Sequence, residues 1–321
     1  MNLPSANSSP RMVLVMCANA GVDRTYDLDS FAAGAFHHPA ACHISAGGKG
    51  LNVARALAGL EVDTVVTGFV GGFSGDYISC DLERPYLFTE FSQIRDESRT
   101  TLSFRDVRSN EITRVDEWGP EVTEAEVELL YERWEELLEF ASLTVVSGNP
   151  PPSVPAGFCR RLVTSSQRQG VPVLVDAHET YLREALLAGP DVITPNRAEL
   201  SWLAEHPLSM PADVVDYSRE LVARGVGTVL TTLGAEGAIV VSGGEPPFQV
   251  LAPSVLPVSE VGAGDCAVAG WVAAQCRGLD LRERARWAVA SGSACCLEPT
   301  ASAVSQESVL RLLAATEIVD L

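Results

Sequence analysis

The chain has 321 residues, 46% apolar and 20% charged, with 23 basic against 42 acidic side chains and a formal net charge of −19. Length and composition place it among folded globular proteins that bury a large core, and exclude extended disorder. So acidic a surface repels phosphate backbones and anionic lipid, which argues against nucleic-acid and membrane-surface partners.

Residues 1–10, MNLPSANSSP, are polar and read as a frayed tail. They lack the basic segment of a secretory signal. From 11 to 321 no linker or repeat divides the sequence, so a single domain is expected. VLVMCA (13–18) reads as a buried first strand. Residues 22–45 are polar and β-prone. KGLNVARALAGL (49–60) has helical period, with Leu51, Ala54, Leu57 and Ala58 on one face. TVVTGFV (64–70) reads as a strand. Residues 98–118 are again polar and β-prone, and Ser109–Asn110 marks a hairpin turn. In TEAEVELLYERWEELLEF (123–140), Val127, Leu130, Trp134, Leu137 and Leu138 form an apolar stripe, and Thr123 with Glu126 has the capping-box spacing. Strands follow at 143–148, 171–177, 191–196, 228–234 and 237–243, and helices at 155–169, 197–205, 212–224, 265–276 and 281–297.

The strands are short, Val-rich and end in Gly, Asn, Asp or Ser, as in a parallel sheet covered on both faces. Their alternation with helices predicts a three-layer α/β/α domain with a mostly parallel sheet. The two polar segments, 22–45 and 98–118, predict a small β-sheet lid inserted into it. Eight cysteines without C-x-x-C spacing, and few histidines, exclude a zinc site or disulfide framework; most read as small buried hydrophobes. No apolar run reaches the roughly 18 residues of a membrane span. A cytoplasmic location is expected.

Four stretches have the residue types that chemistry needs. In SAGGKGLNVARAL (45–57), a Gly47-Gly48 turn feeds a helix with Lys49 and Asn52 in its first turn; glycines permit close backbone approach, and the helix N-terminus favours anions or hydroxyl oxygens. Gly50 after Lys49 rules out a Walker A loop. In TPNRAEL (194–200), Asn196 and Glu199 can orient water around a magnesium–phosphate complex, or simply cap a helix. TTLGAEGAIVV (231–241) is a nucleotide-loop candidate or a plain hairpin. VGAGDCAVAG (261–270) is an anion nest at a helix start, with Asp265 entering as a carboxylate base. It also satisfies a dinucleotide fingerprint through Gly262, Gly264 and Ala267. That fingerprint normally opens a βαβ unit, however, and here a further helical pattern follows.

Together, and in this order, the four stretches resemble the PfkB, or ribokinase-like, family of carbohydrate kinases over about residues 11–315. NAGVD (19–23), GGKGLNVARAL and VSGNPPPSVP (146–155) are most similar to its branch of 1-phosphofructokinases and tagatose-6-phosphate kinases. The resemblance implies a ribokinase-like fold and an ATP- and Mg2+-dependent phosphotransferase acting on a sugar hydroxyl. The expected acceptor is a hexose phosphate such as fructose 1-phosphate or tagatose 6-phosphate. Asp265 would be the general base and Gly262, Ala263 and Gly264 the anion hole. Asp23, Gly47, Gly48, Lys49 and Asn52 would hold the sugar, and Arg99 its phosphate. Asn196, Thr232, Gly234, Glu236 and Gly237 would line the ATP site, with Glu199 reaching the metal through water. A homodimer through the lid is implied as well.

The sequence departs from the branch pattern at Thr101, where a second arginine is usual, at Thr194 for Lys, and at Glu260 for a small hydroxyl residue. Ala20 replaces Pro, and Glu61 replaces a glycine that would cap the first motif's helix. The missing cation at 101 keeps an unphosphorylated sugar or polyol open as acceptor. From other classes, a nicotinamide-dependent oxidoreductase and a non-catalytic sugar or nucleotide sensor are the alternatives.

Overall fold

In the computed structural model, residues 12–298, 300 and 302–321 are described, and the expected tail at 1–10 lies outside them. The chain opens with β1 (Met12–Met16) and passes into β2 (Gly21–Leu28) and β3 (Ala41–Gly47) before returning as α1 (Lys49–Gly59). Next come β4 (Thr64–Thr67) and β5 (Phe69–Val70), then α2 (Gly72–Asp81), β6 (Leu87–Thr89) and β7 (Ser92–Gln93). The single strand expected over 64–70 is two, broken at Gly68. There φ is +153°, and a Cβ would lie 1.8 Å from the Cys17 carbonyl oxygen.

β8 (Arg99–Asp106) and β9 (Ile112–Asp116) form a hairpin, with Asn110 of the expected Ser-Asn turn at φ +60°. α3 (Glu124–Leu138) begins at the expected capping box: Thr123 accepts from the Glu126 N–H, and Glu126 reaches back. Strands and helices then alternate: β10 (Ala141–Ser147), α4 (Phe158–Arg168), β11 (Val173–Asp176), α5 (Glu179–Leu186), β12 (Val192–Ile193), α6 (Arg197–Ala204), α7 (Pro211–Ala223) and β13 (Thr228–Thr232). A 3₁₀ turn over Gly234–Glu236 leads to β14 (Ala238–Ser242) and β15 (Phe248–Leu251). Three helices, α8 (Ala263–Cys276), α9 (Leu281–Cys295) and α10 (Gln306–Leu313), precede the last strand, β16 (Glu317–Asp320).

The main sheet runs β16-β15-β14-β13-β12-β11-β10-β1-β4-β6. It is parallel from β13 to β6, and its β14–β16 end is antiparallel. Alternate strand residues feed two cores. Val13 and Val15 pack with Leu51, Trp271 and Trp287 on one face. Leu14 and Met16 pack with Trp134, Phe158, Leu200 and Val214 on the other. Coverage of both faces is why the strands carry apolar residues continuously instead of alternating with polar ones.

The second sheet, β3-β2-β8-β9, is built from the two polar segments. Strand order in the main sheet reverses at β1, whose neighbours are β10 and β4. In open α/β sheets such a switch point opens a crevice at the carboxyl ends of the strands, where ligands bind. All eight cysteines are free; Cys17, Cys159, Cys266 and Cys295 are buried, but Cys42, Cys80 and Cys276 are exposed, so burial holds for half of them and not for most. Among the described residues, no helix is long and apolar enough to cross a membrane.

Candidate active site

The candidate residues come from the carboxyl ends of β10, β11 and β13, the segment after β12, and the starts of α1, α6 and α8. Gly262 turns the backbone at φ +84° into α8, which places Asp265 in that helix's first turn, 6% exposed. Gly264 lies at the surface, with open space where a side chain would go. The Ala263 N–H donates to the Glu260 carbonyl at 3.3 Å and the Cys266 N–H to Gly262 O at 2.9 Å. The N–H groups of Gly262, Gly264 and Asp265 have no hydrogen-bond acceptor among the described residues. Those three donors, aided by the helix dipole, form the nest, while Ala263 is already engaged.

Asn52, closing the first turn of α1, donates from Nδ2 to Asp265 Oδ2 at 2.8 Å. Its own Oδ1 accepts from Arg55 Nη1 at 3.4 Å, which fixes the amide orientation. Arg55 is held in turn by the Ala46 carbonyl. Burial pushes the Asp265 carboxyl up to about 6, and negative Asp176 nearby adds to this. Lys49, the Asn52 hydrogen bond and Arg55 pull in the opposite direction. A buried carboxylate with a proton affinity near neutrality suits general-base chemistry.

Asp176, at the carboxyl end of β11, is 4% exposed. It accepts from Lys49 Nζ at 3.1 Å and from Ser147 Oγ at 3.1 Å. Burial of Lys49 opposes its charge, but Asp176, Glu199 and Asp265 outweigh this and keep it protonated. Lys49, Asp176, Thr194, Asn196, Glu199, Thr232 and Gly264 enclose a cavity of about 40 Å³. Lys49, expected on the sugar, thus stands on the same side as the nucleotide-loop residues.

Asn196 and Glu199 form a reciprocal cap on α6: Asn196 Oδ1 accepts from the Glu199 N–H at 2.9 Å, and Glu199 Oε2 from the Asn196 N–H at 2.8 Å. Thr232 lines the cavity at the end of β13. Gly234, at φ +60°, and Gly237, at φ +90°, then turn the hairpin into β14. Glu236 points to Arg197, 3.1 Å away on the surface.

On the lid, the Asp23 carboxylate occupies the space a Cβ on Gly47 would fill, 2.3–2.4 Å from that position. Gly48, at φ +120°, caps α1. Arg99 Nε donates to the Asn19 carbonyl at 3.1 Å.

The site thus sets a buried carboxylate beside an anion nest, and the sequence decides the lineage. The pfkB family carbohydrate kinase profile matches residues 16–308. The chain belongs to the pfkB family of carbohydrate kinases.

Among relatives of this pfkB kinase, it is 32% identical over 280 residues to the 1-phosphofructokinase of Rhodobacter capsulatus, covering 87% of this chain and 88% of that one. It is 29% identical over 287 residues to the 1-phosphofructokinase of Borreliella burgdorferi, covering 89% and 92%. The phosphofructokinase-2 of Escherichia coli, solved in complex with substrates and products, superposes with a TM-score of 0.87 at 29% identity, covering 94% of this chain and 98% of that one.

A pfkB kinase has no dinucleotide turn at Gly262–Gly264. α8 is followed by α9 and not by a strand, so the βαβ unit that this fingerprint requires is missing, and the oxidoreductase alternative falls. Arg55, Ser147 and Asp176 went unnoticed in the sequence as site residues. Asp176 had a signal, a lone carboxylate closing a Val-rich parallel strand. Arg55 and Ser147 had none, because their roles exist only through contacts made in the fold.

Proposed function

We propose that this kinase phosphorylates a hydroxyl of a hexose phosphate at the expense of ATP, with fructose 1-phosphate and tagatose 6-phosphate as the leading acceptors. The observation that carries this is the buried Asp265 beside a free anion nest, at the carboxyl ends of the strands and within hydrogen-bond distance of Asn52. Asp265 takes the proton from the acceptor hydroxyl. The N–H groups of Gly262, Gly264 and Asp265 receive the oxygens of the moving phosphoryl group. Lys49, held by Asp176, supplies positive charge on the phosphate side. Asp23 and the Gly47–Gly48 turn orient the sugar, and Arg99 meets its phosphate.

Asn196, Thr232, Gly234 and Gly237 are assigned to the nucleotide. Glu236 is the weakest of that set, since its carboxylate is already matched with Arg197. Among the described residues, no group of three His, Cys, Asp or Glu side chains could cage a metal ion. That suits Mg2+ held mainly by phosphate oxygens and water, with Glu199 beyond a water. The metal would neutralise developing charge on the phosphates.

A homodimer through the lid is supported by exposed apolar side chains there: Ile44, Ile112 and Val115 are 40%, 56% and 52% exposed. ADP release measured over a panel of sugars, polyols and their phosphates tests the reading. Turnover confined to hexose phosphates is expected. Turnover of an unphosphorylated sugar alone would overturn the acceptor class, and no turnover at all would favour a sensor.

A further inference from the structure

The parallel pairing of β2 with β8 sets Gly21 against Arg99, Asp23 against Thr101 and Asp27 against Arg105, so these side chains share one face of the lid. Ser103 on the same face pairs with Arg114 of β9. Two arginines of this face are matched with carboxylates. Arg105 forms a bidentate pair with Asp27 at 2.8 and 2.6 Å, and Arg114 Nε donates to Asp116 at 2.8 Å. Arg99 differs. Its Nε donates to the Asn19 carbonyl and its Nη1 to Thr101 Oγ1, both at 3.1 Å, so both acceptors are uncharged. These bonds use two of the five guanidinium donors, and the outer edge of the fork finds no acceptor among the described residues. Thr101 is 2% exposed. Nearby, Asn19 Oδ1 and Asp23 Oδ1 are buried acceptors without a partner among the described residues.

We propose that Thr101 is a positioning residue that sets acceptor specificity. Its hydroxyl clamps the inner edge of Arg99, so that the outer edge faces a single phosphate monoester, while Asn19 and Asp23 accept from the hydroxyls of the same molecule. Among the described residues, this face has one cation without a matching carboxylate, so it selects an acceptor with one phosphate over one with two. The inference rests on the sugar-kinase reading above and names a determinant within it.

The test compares the wild type with Thr101→Val, which keeps the shape and removes the hydroxyl, and with Thr101→Ser, which restores it. In steady-state assays with fructose 1-phosphate, Thr101→Val raises the acceptor KM about ten-fold, with kcat and the KM for ATP within about two-fold, and Thr101→Ser recovers most of the loss. An unchanged acceptor KM in Thr101→Val overturns the proposal. So does a fall in kcat that serine does not rescue, because that marks a merely structural role. A wild type that turns over no sugar phosphate overturns the proposed function instead. The Thr101 assignment is then decided by calorimetric titration with fructose 1-phosphate: about ten-fold weaker binding in Thr101→Val sustains it, and no binding to the wild type refutes it.

Discussion

Asn52→Leu isolates how the base is tuned. Asn52 donates at 2.8 Å to Asp265, whose carboxyl is pushed up to about 6 by burial and by Asp176 despite that bond. An ionised carboxylate accepts far more strongly than a neutral one, so losing the donor disfavours ionisation. A hydrogen bond to a charged group is worth about 1.5–3 kcal/mol, and about 1.4 kcal/mol corresponds to one pKa unit. Leucine at 52 therefore moves the carboxyl further up, by the equivalent of about 1.5–3 kcal/mol. The working base is the ionised form, so activity rises with pH as the carboxyl ionises and is lost below that range. The folded state binds this proton more tightly than the unfolded chain does, so the group's contribution to stability runs the other way, falling as pH rises from 3.8 through about 6. The assay is kcat/KM for the acceptor between pH 5 and 9, which reports the free enzyme. The acidic limb is expected near 6 in the wild type and at least about one unit higher in Asn52→Leu. Asp176→Asn removes a like charge and lowers the limb. Limbs that stay together, or that move in the same direction, would refute the reasoning.

Gly47→Ala places a Cβ within 2.3–2.4 Å of the Asp23 carboxylate; the acceptor KM is expected to rise at least about ten-fold with the KM for ATP unchanged, as steady-state kinetics would show. Lys49→Met removes the cation beside the nest and leaves the buried Asp176 with Ser147 as its remaining side-chain partner, so kcat falls by about two or more orders of magnitude and, with the lysine side chain 35% exposed, the protein loses about 1–3 kcal/mol in urea melts. Glu61 ends α1 at φ +58°, a backbone region that costs a non-glycine residue about 1 kcal/mol. Glu61→Gly is therefore expected to raise the thermal midpoint by roughly one to four degrees. Ile112→Asp on the exposed lid edge is expected to shift a dimer towards monomer in light scattering.

The features legible in the sequence were those written locally. Val-rich strands such as β10 and β11, the Trp134 stripe of α3 and the Thr123 capping box all follow from short-range pattern. The helix starts that carry Lys49 and Asp265 were also visible, because glycines announce them, although α8 begins two residues earlier than its apolar pattern. α2, α5 and α10 were missed. They span eight to ten residues, too few turns to establish a period, and α2 carries glycines besides. β16 was missed because its EIVD is nearly all exposed and gains strand structure only by pairing with β15. The NRAE stretch turned out to be a helix cap in geometry, which leaves its ligand role to be carried by the cavity it borders. Arg55 and Asp176 became site residues only through contacts 9 and 127 residues apart in sequence. Thr194 offers the same cavity a buried hydroxyl that has no partner among the described residues, where the resembled branch has a lysine. Nothing in the structure explains the side chain of Glu260.

The central claim is that Asp265 is the base of a phosphoryl transfer from ATP to a sugar hydroxyl. ADP release by Asp265→Asn, measured beside calorimetric ATP binding, tests it most directly. A general base supplies about 10²–10⁴ in rate, so turnover should fall at least that far while ATP affinity stays within a few-fold. Near-normal turnover in Asp265→Asn would contradict it.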